Sequence, residues 1–167
     1  TGMKFVKYKN RNIKLPNDHN FYSELSMEDV VIKSSNKGAA YLGLILGEER
    51  LYAYANNFGF GVRTNCGLLG EVKGILHQTK YWDGLTISRM PMGHSISATP
   101  IQVHYAMSVI ANGGLLMKPK LISKVVNEKG ERIFSYDSYV KKRVIKKEVA
   151  DLMSQILCKV VSKKGTA

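Results

Sequence analysis

The chain has 167 residues, enough for one domain with a sizeable core, and its charged and apolar fractions of 23% and 44% exclude a disordered or low-complexity polypeptide. Its net charge of +12 does not mark a nucleic-acid site. The basic residues are scattered, denser only at 4–14 and 141–147, without an RNA-binding, zinc-finger or helix-turn-helix pattern, so a solvated basic face suited to an anionic membrane or wall polymer is preferred. No apolar run approaches the roughly 18 residues that cross a bilayer, and no signal-peptide pattern opens the chain. Cys66 and Cys158 form no C-x-x-C, so neither zinc nor a redox centre is indicated. Buried free thiols are expected of both, with one disulfide left open.

Residues 1–24 are polar, with Pro16-Asn17-Asp18 as turn chemistry; Phe5, Val6 and Tyr8 suit a short edge strand and the rest a loop. Residues 25–47 read as two helices. Ser26 with Asp29 three places on is a capping box, Val30-Val31 follow, and the run Ser34-Ser35-Asn36 then interrupts the pattern. Ser and Asn side chains compete for nearby backbone groups, so three together favour a turn and a fresh helix start. Ala39, Ala40, Leu42, Leu44 and Ile45 carry the second helix to Gly47.

A further helix is expected over 48–57, with Leu51, Tyr52, Tyr54 and Ala55 apolar and Gly59 as its terminating glycine. The glycine-rich stretch 59–96 reads as an extended loop region folded over the core. His77 and His94 lie in it without a second ligand at helical or loop spacing, so solvent or structural roles are expected. Thr99 then caps a helix with Pro100 at its first position, and Asn112-Gly113-Gly114 stops it. Ile101, Ala106, Met107 and Ile110 mark its expected apolar face, beside the helix that starts at Asn36, with His104 and Tyr105 as packing residues. Residues 115–136 read as one β-hairpin around Glu128-Lys129-Gly130, with Ile122, Val125, Val126, Ile133 and Phe134 as strand apolars. Residues 147–161 suit an amphipathic helix using Val149, Leu152, Met153, Ile156, Leu157 and Val160.

The run from Val31 to Gly61 resembles the segment around the Ser-x-Asn motif of class B penicillin-binding proteins, the transpeptidases that cross-link peptidoglycan. An ordered set carries the resemblance: Ser34-Ser35-Asn36, then Phe58-Gly59-Phe60-Gly61, Gly70-Glu71, Trp82, the block from Met92 to Gln102, and Ala111-Asn112-Gly113-Gly114. The block from Trp82 to Gln102 is more similar to the septal, division-type enzymes than to the elongation type. The likeness covers roughly residues 25–167. It implies an α+β penicillin-binding fold, a helical cluster with an incomplete antiparallel sheet. Within it, 1–24 is a loop and edge segment, 25–114 the helical part, 115–161 hairpin and helix, and 162–167 the start of a segment leading to the family's Lys-Thr-Gly strand.

The resemblance also implies site residues. Acyl transfer from a D-Ala-D-Ala peptide needs a serine nucleophile, a base, an oxyanion hole and an acid for the departing amine. By family likeness, nucleophile and base come from a Ser-x-x-Lys motif. Ser34 supplies a hydroxyl on the proton path to the leaving amine, Asn36 an amide that holds the substrate carbonyl and the catalytic lysine, and Ser35 points away. Ser34-Ser35-Asn36-Lys37 and Ser138-Tyr139-Val140-Lys141 match Ser-x-x-Lys formally, but neither is assigned as nucleophile. Ser162-Lys163-Lys164-Gly165-Thr166-Ala167 is similar to the Gly-Thr element before the Lys-Thr-Gly strand. No metal or organic cofactor is called for. The expected partners are peptidoglycan stem peptides and β-lactams, with division-complex proteins and a glycosyltransferase; no nucleic acid is expected. The membrane enters only through an N-terminal anchor outside this sequence, which places the parent protein on the periplasmic, extracytoplasmic side of the bacterial inner membrane. This chain alone is expected to be inactive. Two rival readings stand beside it: a catalytically silent scaffold of the same fold in a division complex, and a basic nucleic-acid-binding protein.

Overall fold

The computed structural model describes residues 3–162, 165 and 166. Lys163, Lys164 and Ala167 of the C-terminal run, and Thr1 and Gly2, lie outside the described residues. The elements are β1 (Phe5–Tyr8), β2 (Arg11–Lys14), α1 (Met27–Ile32), α2 (Asn36–Leu46), α3 (Glu48–Asn57), α4 (Thr86–Arg89), α5 (Pro100–Ala111), β3 (Leu115–Met117), β4 (Lys124–Val126), β5 (Arg132–Ser135), β6 (Val140–Arg143) and α6 (Lys147–Val160), with 3₁₀ turns at Thr79–Tyr81 and Met90–Met92. The class is α+β, and the described strands form three separate antiparallel pairs, β1–β2, β3–β6 and β4–β5.

The N-terminal segment holds more structure than its polar composition suggests. Lys9, at φ 52°, turns the chain so that Phe5 pairs with Lys14 and Tyr8 with Arg11. β2 carries one apolar residue, Ile13, so no two-residue alternation announces it. Ile13 and Leu15 nevertheless enter a core cluster with Ala40, Leu44 and Ile87, flanked by Val6, Leu51, Trp82 and Met92.

The expected loop over 59–96 is likewise corrected. Its last third folds into α4 and the turn at Met90–Met92, which pack on α2 and bury Ile87 and Met90. The approach is close because Gly43 of α2 has no side chain: a Cβ there would collide with the Pro91 ring and come within 3.0 Å of the Ile87 carbonyl oxygen. α3 ends as expected. Gly59 takes φ 102°, its N–H donating to the Asn56 carbonyl and that of Phe60 to the Ala55 carbonyl, the paired closure that favours glycine at this position.

α5 begins with the Thr99 capping box and Pro100, but it buries a different face from the expected one. The inward stripe is Gln102, Tyr105, Ala106 and Val109, spaced i, i+3, i+4, i+7, while Met107 is exposed. A polar residue at the head of the stripe displaced the reading by one position. α5 packs on β3 and α6, not beside α2, whose neighbours are α1, α3, α4 and the turn at Met90–Met92. Tyr105, Val109 and Leu116 form the second core cluster, with Phe58, Val144 and Ile145 against it. Tyr105 donates its hydroxyl to the Met117 carbonyl at 2.6 Å; His104 is exposed.

The single hairpin expected over 115–136 is two structures. β4 and β5 form a hairpin, Val125 opposite Phe134, while β3 turns to β6, Leu115 opposite Arg143. β6, Val-Lys-Lys-Arg, has the same disguise as β2, one apolar residue among cations. α6 buries Ala150 and Ile156 against α1 and α5 and leaves Val149 and Leu152 exposed. Both cysteines are free; Cys66 is buried, but Cys158 is exposed on α6, contrary to expectation. Among the described residues no helix is long and apolar enough to cross a membrane.

Candidate active site

The candidate site is the corner between α1 and α2, and both flanking helices set its geometry. α1 starts in a reciprocal capping box: the Asp29 N–H donates to Ser26 Oγ at 3.0 Å and the Ser26 N–H to Asp29 Oδ2 at 3.3 Å. The Ser26 hydroxyl and N–H hold the Asp29 carboxyl below the usual carboxylate range. α1 stops after six residues by closing on itself. The Ser34 N–H donates to the Val31 carbonyl at 3.1 Å and the Ser35 N–H to the Val30 carbonyl at 2.9 Å. This is the double bond pattern of a glycine-terminated helix, yet Ser34 occupies the glycine position, at φ 50°. A side chain in that region costs on the order of 1–2 kcal/mol. The corner is therefore held by its surroundings against local preference.

Ser35 then opens α2. Its Oγ accepts from the Gly38 N–H at 2.9 Å and donates to Asp18 Oδ2 at 2.7 Å, leaving Ser35 only 2% exposed. Asp18 Oδ1 accepts from the Lys37 N–H at 2.9 Å. Ser34 and Asn36, on either side, are both exposed. The run thus alternates outward, inward, outward, and presents a hydroxyl and an amide two positions apart on a fixed corner.

Ser34, Ser35 and Asn36 line a pocket of about 460 Å³ together with apolar side chains of α1, α2, α3 and the turn at Met90–Met92, among them Val31, Leu42, Leu46, Leu51 and Met92. A hydroxyl and an amide on the lining of an otherwise apolar recess can orient a peptide carbonyl and relay a proton. Thr166 reaches the same place, its Oγ1 lying 3.0 Å from Ser34 Oγ.

In neither formal Ser-x-x-Lys match do the serine and the lysine stand on one helix. On one helix, residues i and i+3 lie on the same face. Ser34 precedes α2 in a left-handed conformation, and Lys141 stands on β6 with its Nζ donating to the Thr64 carbonyl at 3.3 Å. The Trp82 indole N–H donates to the His77 carbonyl. Among the described residues no group of three or more His, Cys, Asp or Glu is placed to hold a metal.

Two residues escape sequence reasoning, one in the frame of the site and one in the loop that packs on α5. Asp18 reads as part of a Pro-Asn-Asp turn, and nothing local announces a partner 17 positions on. Gln102 is fully buried and donates Nε2 to the Val62 and Lys73 carbonyls, both at 2.8 Å, while its Oε1 accepts from the Thr99 N–H. It binds residues 59–73 to the start of α5. A polar residue three places after an N-cap was the available clue, and at most it points to a capping box.

Comparison with known proteins gives a consistent result. Residues 4–167 match the family described as penicillin binding protein transpeptidase domain. Penicillin-binding protein PbpB of Mycolicibacterium smegmatis is 37% identical over 98 residues, 59% of this chain and 15% of that protein. Peptidoglycan D,D-transpeptidase FtsI of Escherichia coli is 34% identical over 114 residues, 68% of this chain and 19% of its own length. Among solved structures, penicillin-binding protein 3 of Mycobacterium tuberculosis, complexed with aztreonam, shares 29% identity and a TM-score of 0.73, over 92% of this chain and 34% of that one. The chain therefore spans under a fifth of the length of these two curated relatives.

Proposed function

The chain belongs to the penicillin-binding protein transpeptidase family and has its fold, and from that premise we propose that it is part of a peptidoglycan D,D-transpeptidase working through a serine acyl-enzyme. One observation carries the reading to this chain's own residues. Ser34 and Asn36 are exposed together on the lining of the pocket while Ser35 between them is buried and used to start α2.

In this reading the substrate is the D-Ala-D-Ala end of a stem peptide, and β-lactams acylate the same serine. Aztreonam is bound in the solved relative, which supports that class of inhibitor. The nucleophile and its base come from a Ser-x-x-Lys helix outside this sequence. The Asn36 amide offers one acceptor and two donors, enough to hold a substrate carbonyl oxygen and an ammonium group at once. The Ser34 hydroxyl both donates and accepts, as a relay to the departing D-alanine amine requires. The parent works on the extracytoplasmic face of the bacterial membrane, with division-complex proteins and a glycosyltransferase as partners.

The test is covalent labelling by a fluorescent penicillin, read by intact mass. This chain is compared with a version extended through both flanks to include Ser-x-x-Lys and Lys-Thr-Gly. The extended chain gains one adduct and the present chain none; Ser34→Ala in the extended chain slows labelling by about 100-fold or more, in the range of a lost acid–base group. Labelling of the present chain would move the nucleophile to one of the two formal matches. Failure of both chains to label would favour the silent scaffold.

A further inference from the structure

We propose that Asp18 is the positioning residue of the Ser34 and Asn36 corner, setting the relative geometry in which those two side chains meet substrate. The inference rests on the functional reading of Ser34 and Asn36 given above. It begins from a mechanical problem: the corner contains a serine in a backbone region that glycine prefers, between two helices that meet at close range. Gly38 packs so tightly on α1 that an added Cβ would collide with Val30.

On the α1 side the corner is fixed by the Ser34 and Ser35 N–H groups bonding back to α1 carbonyls. On the α2 side the work falls to Asp18. Its two oxygens take separate donors, the Lys37 N–H and the Ser35 hydroxyl. A hydroxyl rotates freely unless something accepts its proton. By accepting it, Asp18 leaves the lone pairs of Ser35 Oγ directed at the Gly38 N–H, so one carboxylate satisfies one open donor of the first turn of α2 directly and a second through Ser35. A carboxylate is also favoured there by the positive end of the helix dipole.

Asp18 is itself well placed to act as a fixed point. Leu15, three residues earlier, is 4% exposed in the first core cluster, and its N–H donates to the Lys4 carbonyl at 2.9 Å. The bracket therefore runs from the hairpin core through Asp18 to the backbone that carries Ser34 on one side and Asn36 on the other. Asp18 lines no part of the pocket and acts on chemistry only through these two neighbours.

The experiment measures the second-order rate of acylation by a fluorescent penicillin, per titrated site, in the chain extended through both flanks. The variants are Asp18→Ala, Asp18→Asn, Ser35→Ala, Ser34→Ala and the double variant Asp18→Ala with Ser35→Ala. A displacement of about 1 Å in a catalytic group costs roughly 100-fold, so Asp18→Ala is expected to slow acylation by about 10- to 100-fold in the sites that still titrate. Asp18→Asn, which keeps one acceptor oxygen, falls between it and wild type. The double variant is no slower than the slower single variant, because both remove one bracket. A loss of titratable sites with an unchanged rate per site in Asp18→Ala and Asp18→Asn overturns the proposal and leaves Asp18 as a folding residue only. Wild-type rates in Ser34→Ala overturn instead the reading of the corner on which the proposal stands.

Discussion

The Ser34 hydroxyl lies 3.0 Å from the Thr166 hydroxyl, although 132 positions separate them. α6 brings the two together. It packs on α1, and Lys159 near its end pairs with Glu28 at the start of α1. Gly165, next to Thr166, lies so close to the end of α6 that a Cβ would overlap the Val160 carbonyl. In a Cys158→Ser background, Ser34→Cys and Thr166→Cys are therefore expected to form a disulfide readily under mild oxidant, seen as a loss of two mass units. Adding Gly165→Ala should suppress the cross-link. Equal yields with and without it would show that the tail reaches Ser34 by another route.

A second expectation opposes helix propensity. Replacing a mid-helix glycine by alanine ordinarily stabilises by about 1 kcal/mol. At Gly43 the added Cβ meets Pro91 and the Ile87 carbonyl, both in the layer that covers α2. Overpacking of this kind typically costs about 1–3 kcal/mol, so Gly43→Ala should lower the urea midpoint. A raised midpoint would mean that the turn at Met90–Met92 yields without cost.

How far these features were legible in the sequence follows from whether their cause was local. The caps of α1 and α5 were, because Ser26 with Asp29 and Thr99 each bond within three residues, and so was the fresh helix start at Asn36, though not that Ser35 is the residue that caps it. The outward setting of Ser34 and Asn36 was legible only through the resemblance. β2 and β6 were hidden because each is recruited by pairing with a neighbouring strand and carries a single apolar residue, Ile13 or Val140, among polar neighbours. The buried face of α5 was misread because a residue type that usually faces water heads the stripe. Asp18 was invisible in principle, since its partners are fixed only once the β1–β2 hairpin and α2 have met.

Gln102 supplies the third expectation. Gln102→Leu keeps the volume but leaves the Val62 and Lys73 carbonyls and the Thr99 N–H without partners. Each buried unpaired group costs about 1–3 kcal/mol, and the loop backbone will recover part of that from water, so a loss of roughly 2–4 kcal/mol is expected. Gln102→Glu should be worse at neutral pH, because an oxygen replaces the amide nitrogen that faces those carbonyls. Denaturant unfolding of the three proteins checks the order, and a glutamate variant as stable as wild type would refute this account of the hub.

The last expectation concerns acid. Glu71 accepts from the Thr64 hydroxyl and N–H, both at 2.6 Å, and from the Asn65 N–H at 3.0 Å, closing a loop in which Thr64 is buried and Asn65 takes φ 58°. The Thr64 hydroxyl first, then the backbone N–H groups, favour the charged carboxylate, and together they outweigh desolvation, so its pKa falls below the ordinary 4.5. A group whose folded pKa is depressed binds fewer protons folded than unfolded. Its contribution is therefore complete above the unfolded value and is lost as pH falls through the folded one. Glu71→Gln should melt below wild type at pH 7, and the gap should narrow progressively below about pH 4.5 as the wild-type carboxylate itself takes a proton. Thermal unfolding of the pair from pH 7 to pH 3 decides it. A gap independent of pH would assign the loop's closure to the shape of the side chain and not to its charge.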